Sequence, residues 1–298
     1  MNITYYNYFS YFSTEKEIIA DYISKYVLDK YIYAPADEYY NFLDIGSGNG
    51  LQAKLIAEKL AIKIEKLYIS MIEKNYELSE ICKIITGNNS IRSDVTNVQW
   101  ENYNPTIQYD FILCSHVLGS LFKQCKNIST FRNELFRILL SGKKTGIICI
   151  ILGDENSINL KIRNSLFNNN DTILSAQKFS MLLDDWRISY KSEYITSHLN
   201  LTGWLNSKSL TTITSIESGI FNFLFSDCEQ IPVESLNRLR DTLLVNSILW
   251  DELTPLSKEY FVLKFEDNID INNMFVELSQ RCFWIETKGT DNGDVFRL

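Results

Sequence analysis

The stretch "FLDIGSGNG" at 42–50 constrains the fold more than any other part of the chain. An apolar run ends in Asp44, and Gly46, Gly48 and Gly50 lead into the helical pattern of 51–60. Glycines at this spacing allow a tight turn between strand and helix and let a ligand approach the backbone. A nicotinamide dinucleotide fingerprint needs glycines at 46, 48 and 51, and position 51 is Leu. A phosphate-cradling loop needs Gly-Lys-Ser/Thr after the turn, and none follows.

The chain around this loop alternates. "KLYISMI" (66–72), "DFILCS" (110–115) and "TGIICIIL" (145–152) are apolar runs, and helical spacing recurs over 14–31, 77–85 and 130–140. Nearly unbroken apolar strands belong to a parallel sheet covered on both faces. The order up to residue 152 predicts an α/β, doubly wound, mostly parallel sheet with ligands at the carboxyl ends of its strands. Thr14 and Glu17 have the form of a capping box.

Farther on, the pattern predicts a helix near 176–186, a strand near 188–196, helical stretches at about 208–225 and 233–247, and a last strand, "KEYFVLKF" (258–265). The polar "NNND" at 168–171 marks an exposed turn, and Met274, Phe275, Leu278 and Cys282 are spaced for a short amphipathic helix. With no repeat and no low-complexity linker, one sheet with helical insertions is expected rather than two independent domains.

The formal charge of −8 and the lack of clustered Lys and Arg argue against a nucleic-acid partner and favour a small neutral or cationic one. Six cysteines without a CxxC pair and two histidines make a zinc site unexpected, so reduced thiols in a cytoplasmic protein are the expectation. The apolar runs fall far short of the ~20 residues that span a bilayer, and the N-terminus lacks a basic region followed by an apolar one. Neither secretion nor a membrane anchor is expected.

An acid two residues before GxGxG resembles motif I of the class I S-adenosylmethionine (SAM) dependent methyltransferases. The resemblance implies a Rossmann-like seven-stranded sheet, with SAM as cofactor and S-adenosylhomocysteine (SAH) as product. It assigns Asp44, Gly46, Ser47, Gly48 and Gly50 to the cofactor. Glu73 stands where the family's acid at the end of the second strand binds the ribose hydroxyls. Asp94 resembles the residue near the adenine amino group, with Ser93 or Thr96 as alternatives. "YDFILCSHVLGSLF" (109–122) resembles motif IV, which puts Ser115 and His116 beside the sulfonium methyl. The Asn/Asp-Pro-Pro-aromatic signature of adenine or glutamine methylation is absent, which also disfavours nucleic acid.

A closer resemblance, over most of residues 5–265, is to the histamine N-methyltransferase-like group. Three features carry it: the aromatic segment followed by "STE" (13–15) and a helix, the long interval between Gly46 and Glu73, and the order of C-terminal elements ending in "EYFVLKF". It implies that Glu15 contacts the nitrogen-bearing part of the acceptor, and that His116 stands where the group has a substrate-site glutamine. A neutral imidazole there can accept a proton or a hydrogen bond. Glu15 also sits in a first helical turn, where a carboxylate is favoured by ~0.3–1 kcal/mol without any function.

In "TYYNYFSYFSTEKE" (4–17), Tyr5, Tyr8, Phe9 and Phe12 form a helical stripe, while Tyr6 and Tyr11 lie off it. The resemblance makes residues 1–36 an aromatic helical lid, with Tyr6 and Phe9 joining Glu15 and His116 at the acceptor. Residues 37–265 then form the SAM-binding domain with a helical insertion at about 200–250, and 266–298 a C-terminal extension. The chain departs from the group in having Gly119, Ser120 and "DENSINL" (154–160) where the group has aromatics, and Ser257 or Lys258 near the place of a final-strand asparagine. Histamine itself is therefore not the expected acceptor. The expected reaction is in-line methyl transfer to an amine or imidazole nitrogen of a small molecule. An O-methyltransferase acting on a carboxylate or phenol, and a non-catalytic SAM-fold partner subunit, remain alternatives.

Overall fold

The computed structural model describes residues 9–30, 38–86, 91–158, 160–161, 174–201, 241–265 and 273–287. Tyr5, Tyr6, Tyr8, Trp204, the turn at 168–171, the stretch at 208–225 and most of that at 233–247 lie outside the described residues. The described helices are α1 (Glu15–Lys30), α2 (Leu51–Leu60), α3 (Tyr76–Thr86), α4 (Leu118–Gln124), α5 (Ile128–Leu140), α6 (Ala176–Asp185) and α7 (Pro255–Phe265). The strands are β1 (Tyr40–Ile45), β2 (Leu67–Ile72), β3 (Arg92–Thr96), β4 (Tyr109–Ser115), β5 (Gly142–Gly153), β6 (Lys191–Asn200), β7 (Ser247–Ile248) and β8 (Phe275–Glu286).

The strands form one sheet in the order β3-β2-β1-β4-β5-β8-β6, with β7 paired to β8. The expected seven strands become eight because of that two-residue edge. Pairing is parallel from β3 through β5. β8 runs antiparallel to β5: Thr287 N–H bonds to the carbonyl of Gly146, and Asp154 N–H to that of Ser279.

Contacts divide the described residues into two compact units. One, the sheet unit, takes those within 19–152, 173–193 and 281–298; the other takes those within 1–18, 153–172 and 194–280. In the sheet unit, Leu43, Ile112, Ile148, Ile150 and Phe283 form the floor of a core covered by Phe131, Leu135 and Ile138 of α5 and by Phe179 and Leu183 of α6. The covering helices begin where side chains cap them: Asn127 accepts from Thr130 N–H at 2.8 Å, and Ser175 from Lys178 N–H at 3.2 Å. Tyr26 of α1 stacks on Trp284 of β8 at 3.9 Å between ring centroids.

Three expectations are overturned. "KEYFVLKF" lies in helix α7, not in a strand. Thr254 starts it, its hydroxyl accepting Ser257 N–H at 3.3 Å, and Pro255 occupies the first helical position, where its missing N–H is no loss. The final strand is instead β8, across the residues expected to form an amphipathic helix. Leu278 and Cys282, four apart, share a buried face, because that spacing suits a two-residue period as well as a helical one, and Phe275, three from Leu278, is buried on the opposite face. The capping box does not form either. Ser13 Oγ accepts from Glu15 N–H at 2.9 Å, and Glu17 pairs with Lys264 at 2.9 Å.

Candidate functional site

The parallel register brings the expected cofactor residues to one edge of the sheet unit. Ile45 pairs with Ile72, and Ile72 with Thr96, so Gly46, Glu73 and Asn97 leave the sheet side by side. Asp44 pairs with Leu113, which sets Gly46 level with Ser115, and His116 follows. Hydrogen bonds fix this edge: the N–H groups of Gly46 and Ser47 both bond to the carbonyl of Ile72, at 2.8 and 3.0 Å.

Gly46, Gly48 and Gly50 have φ of 74°, 58° and 80°, left-handed conformations that favour glycine. A Cβ on Gly46 would lie 2.6 Å from Val117 Cγ2, and one on Gly50 2.6 Å from Cys82 Sγ. Glu73 closes the loop: Oε2 accepts Gly48 N–H at 2.9 Å and Oε1 accepts Asn75 N–H at 2.8 Å. An ionised carboxylate has about four acceptor sites, so roughly two remain, which suits a diol. Asn97 holds the same residue from the other side, its amide donating to the Glu73 carbonyl at 2.8 Å. Asp44 and Ser47 are buried.

Asp94 pairs in register with Ser70 inside the β2–β3 ladder, and its carboxylate accepts from the Ser70 hydroxyl at 3.0 Å. It therefore lies two residues short of the strand end, where Thr96 and then Asn97 stand. Ser115 and His116 occupy the carboxyl end of β4. The Ser115 Oγ is buried and has no hydrogen-bond partner among the described residues. His116 is exposed and takes φ 57°, a left-handed conformation rare outside glycine, while its N–H extends the ladder to the Ile151 carbonyl at 3.0 Å.

Phe9 and Glu15 belong to the other unit. Phe9 is fully buried. Phe12 stacks on Phe265 of α7 at 5.7 Å, and Tyr11 meets the same ring edge-on at 5.1 Å, so this end of the aromatic segment packs on a helix. Glu15 is only 4% exposed, and its Oε2 accepts from Gln280 Nε2 at 2.7 Å. The Gln280 Oε1 is buried without a hydrogen-bond partner among the described residues. Asp154, the first residue of "DENSINL", is buried, with its carboxylate accepting Asn156 N–H at 3.1 Å. Lys264 donates to the Ser10 carbonyl at 2.8 Å and pairs with Glu17; burial lowers its pKa, opposed chiefly by Glu17 and then by Glu15.

Sequence reasoning missed Asn97 and Gln280. Asn97 follows the Thr96 that was singled out, and the sheet register alone distinguishes it. Gln280 was hidden by the misplaced final strand: with β8 in that position, a side-chain amide does stand on the last long strand among the described residues. Among the described residues, no group of three or more His, Cys, Asp or Glu is arranged to hold a metal ion, and no helix is long and apolar enough to cross a membrane.

No family model and no curated protein matches this sequence. Among solved structures, the plantazolicin methyltransferase BpumL in complex with SAH is similar at 15% identity and a TM-score of 0.50, over 95% of this chain and 87% of that one. The same enzyme with SAH and a monoazolic desmethylPZN analog matches at 17% identity and a TM-score of 0.48, over 95% and 87% of the two chains. The N-methyltransferase NodS from Bradyrhizobium japonicum WM9 matches at 12% identity and a TM-score of 0.39, over 52% of this chain and 75% of that one. The first likeness shows the fold: the chain has the Rossmann-like methyltransferase architecture.

Proposed function

We propose that this protein is a SAM-dependent methyltransferase whose acceptor is a small molecule bearing an amine or imidazole nitrogen. The observation that carries the reading is the Glu73–Gly48 bond, which joins a three-glycine turn to a carboxylate at the end of the next strand. The donor set fits the cofactor. The glycines hold the tight turn at the strand ends, Glu73 keeps acceptors for the ribose hydroxyls, and Ser115 Oγ offers a buried hydroxyl with no partner among the described residues. Asp94 and Asn97 are the polar side chains proposed for the adenine side.

When bound, SAM supplies a methyl group made electrophilic by its sulfonium charge. The chain's task is to align an acceptor nitrogen with that carbon, and alignment alone supplies on the order of 7–11 kcal/mol of barrier lowering. A neutral amine loses its proton after transfer, so no general base is required. His116, held at the end of β4, is proposed to accept a hydrogen bond or the proton from the acceptor.

Glu15 is proposed for acceptor recognition on its resemblance to the acid of the "STE" triplet. Support comes from its pairing with Gln280: a carboxylate and a carbonyl oxygen accept N–H donors, as an ammonium or imidazole requires. Membership of the histamine N-methyltransferase-like group is part of the proposal, and the helical state of 258–265 removes one of its three supports.

Calorimetric titration with SAM and SAH tests the core of this reading. Micromolar binding is expected, weakened at least 10-fold in Glu73→Ala. Failure of the native chain to bind either compound would refute the enzyme reading. A panel of amines, imidazoles, phenols and carboxylates, scored by methyl transfer, separates N- from O-methylation.

A further inference from the structure

Next to Glu15 lies a buried polar cluster with no part in the roles assigned so far. Thr14 N–H donates to the His198 carbonyl at 3.0 Å, and His198 N–H donates back to Thr14 Oγ1 at 3.1 Å. The two side chains then meet a third: Ser257 Oγ lies 2.7 Å from His198 Nδ1 and 3.3 Å from Thr14 Oγ1. Thr254 donates its hydroxyl to Ser257 Oγ at 3.1 Å. Thr14 and Ser257 are fully buried, and His198 is 1% exposed.

Ser257 Oγ accepts the Thr254 proton and shares a second hydrogen bond with His198 Nδ1, either atom being able to donate. The buried imidazole is held in its neutral form. Burial favours that form and outweighs the nearby Glu277, the charged group opposing it.

We propose that His198 and Ser257 are positioning residues for Glu15, clamping Thr14 so that the adjacent carboxylate is presented in one fixed place. The role rests on the reading of Glu15 as an acceptor contact. Glu15 is thereby held at both ends, its backbone through Thr14 and Ser13 and its carboxylate by Gln280. A buried polar network contributes less to net stability than apolar packing of similar volume, but it specifies a single arrangement. That suits a segment whose value lies in where one carboxylate sits.

The test is hydrogen exchange over residues 10–18 together with acceptor kinetics on the panel of amines and imidazoles. In Ser257→Ala, exchange over 10–18 is expected to speed at least 10-fold while β1, β2 and α2 keep native rates. The acceptor KM is expected to rise about 10-fold, with kcat and SAM affinity within twofold. His198→Leu should behave likewise, whereas His198→Asn, which keeps an acceptor near the Nδ1 position, should return toward native values.

Unchanged exchange over 10–18 in both Ser257→Ala and His198→Leu would overturn the proposal. So would uniform acceleration along the chain, or failure of His198→Asn to differ from His198→Leu. Glu15→Gln separates this claim from the one beneath it, because the clamp makes no use of that carboxylate. Native exchange with lost acceptor affinity in Glu15→Gln supports the recognition role. Native acceptor affinity in Glu15→Gln refutes that role while leaving SAM binding by the glycine loop intact.

Discussion

At the scale of single residues, the candidate cofactor edge is held in conformations that side chains resist. His116 has φ 57° at the end of β4, where a non-glycine residue stores on the order of 1 kcal/mol of strain. Relief of that strain opposes what the contacts of this exposed side chain supply. His116→Gly is therefore expected to leave urea stability unchanged or raise it by up to about 1 kcal/mol, while lowering methyl transfer at least 10-fold. Native turnover in that variant would leave the imidazole no part in the reaction. Gly50 gives the converse case: Ala there meets Cys82 Sγ and must hold φ 80°. Gly50→Ala should cost roughly 2 kcal/mol or more, and adding Cys82→Ala should recover part of that loss, leaving the backbone strain behind. Full additivity of the two changes in urea denaturation would contradict this geometry.

Among the elements, β1, β2, β4 and β5 were legible because each is an apolar run and the first of them ends in the glycine turn. Glu73, Ser115 and His116 were legible with them, since parallel register turns strand ends into a site. Asn97 and Gln280 were not, because a lone amide has no motif and gains meaning only from its neighbours. The C-terminal elements were misread where spacing was shared by two periods, and where the Thr254-Pro255 start signal was overlooked in favour of aromatic content. The corrected α7 makes its own prediction. In a strand, Phe261 and Leu263 would share a face; in the helix Phe261 is fully buried against Phe275, while Leu263 is 68% exposed. Phe261→Ala should cost about 3–5 kcal/mol and Leu263→Lys less than about 0.5 kcal/mol in urea unfolding. Comparable losses at both positions would mean that the segment is a strand after all.

For the molecule as a whole, acid sensitivity should trace back in part to the clamp. Burial lowers the His198 pKa from 6.5 to about 4, with Glu277 opposing the shift. Above pH 6.5 the imidazole is neutral in both folded and unfolded chains, so it has no effect on stability. As pH falls toward 4, the unfolded chain takes up a proton that the folded chain refuses, and stability drops by about 1.4 kcal/mol per unit. Across the window this amounts to about 3 kcal/mol, and below the folded pKa the loss stops because both states are protonated. Carboxylates titrate over part of the same range, so the effect of His198 has to be read as a difference. Asn at 198 keeps a hydrogen-bond acceptor for Ser257 and cannot titrate. Between pH 7.5 and 4.5, urea stability should therefore fall by about 2–3 kcal/mol more in the native protein than in His198→Asn. Parallel stability–pH curves for the two proteins would mean that the imidazole changes charge freely in the folded chain, which its burial opposes.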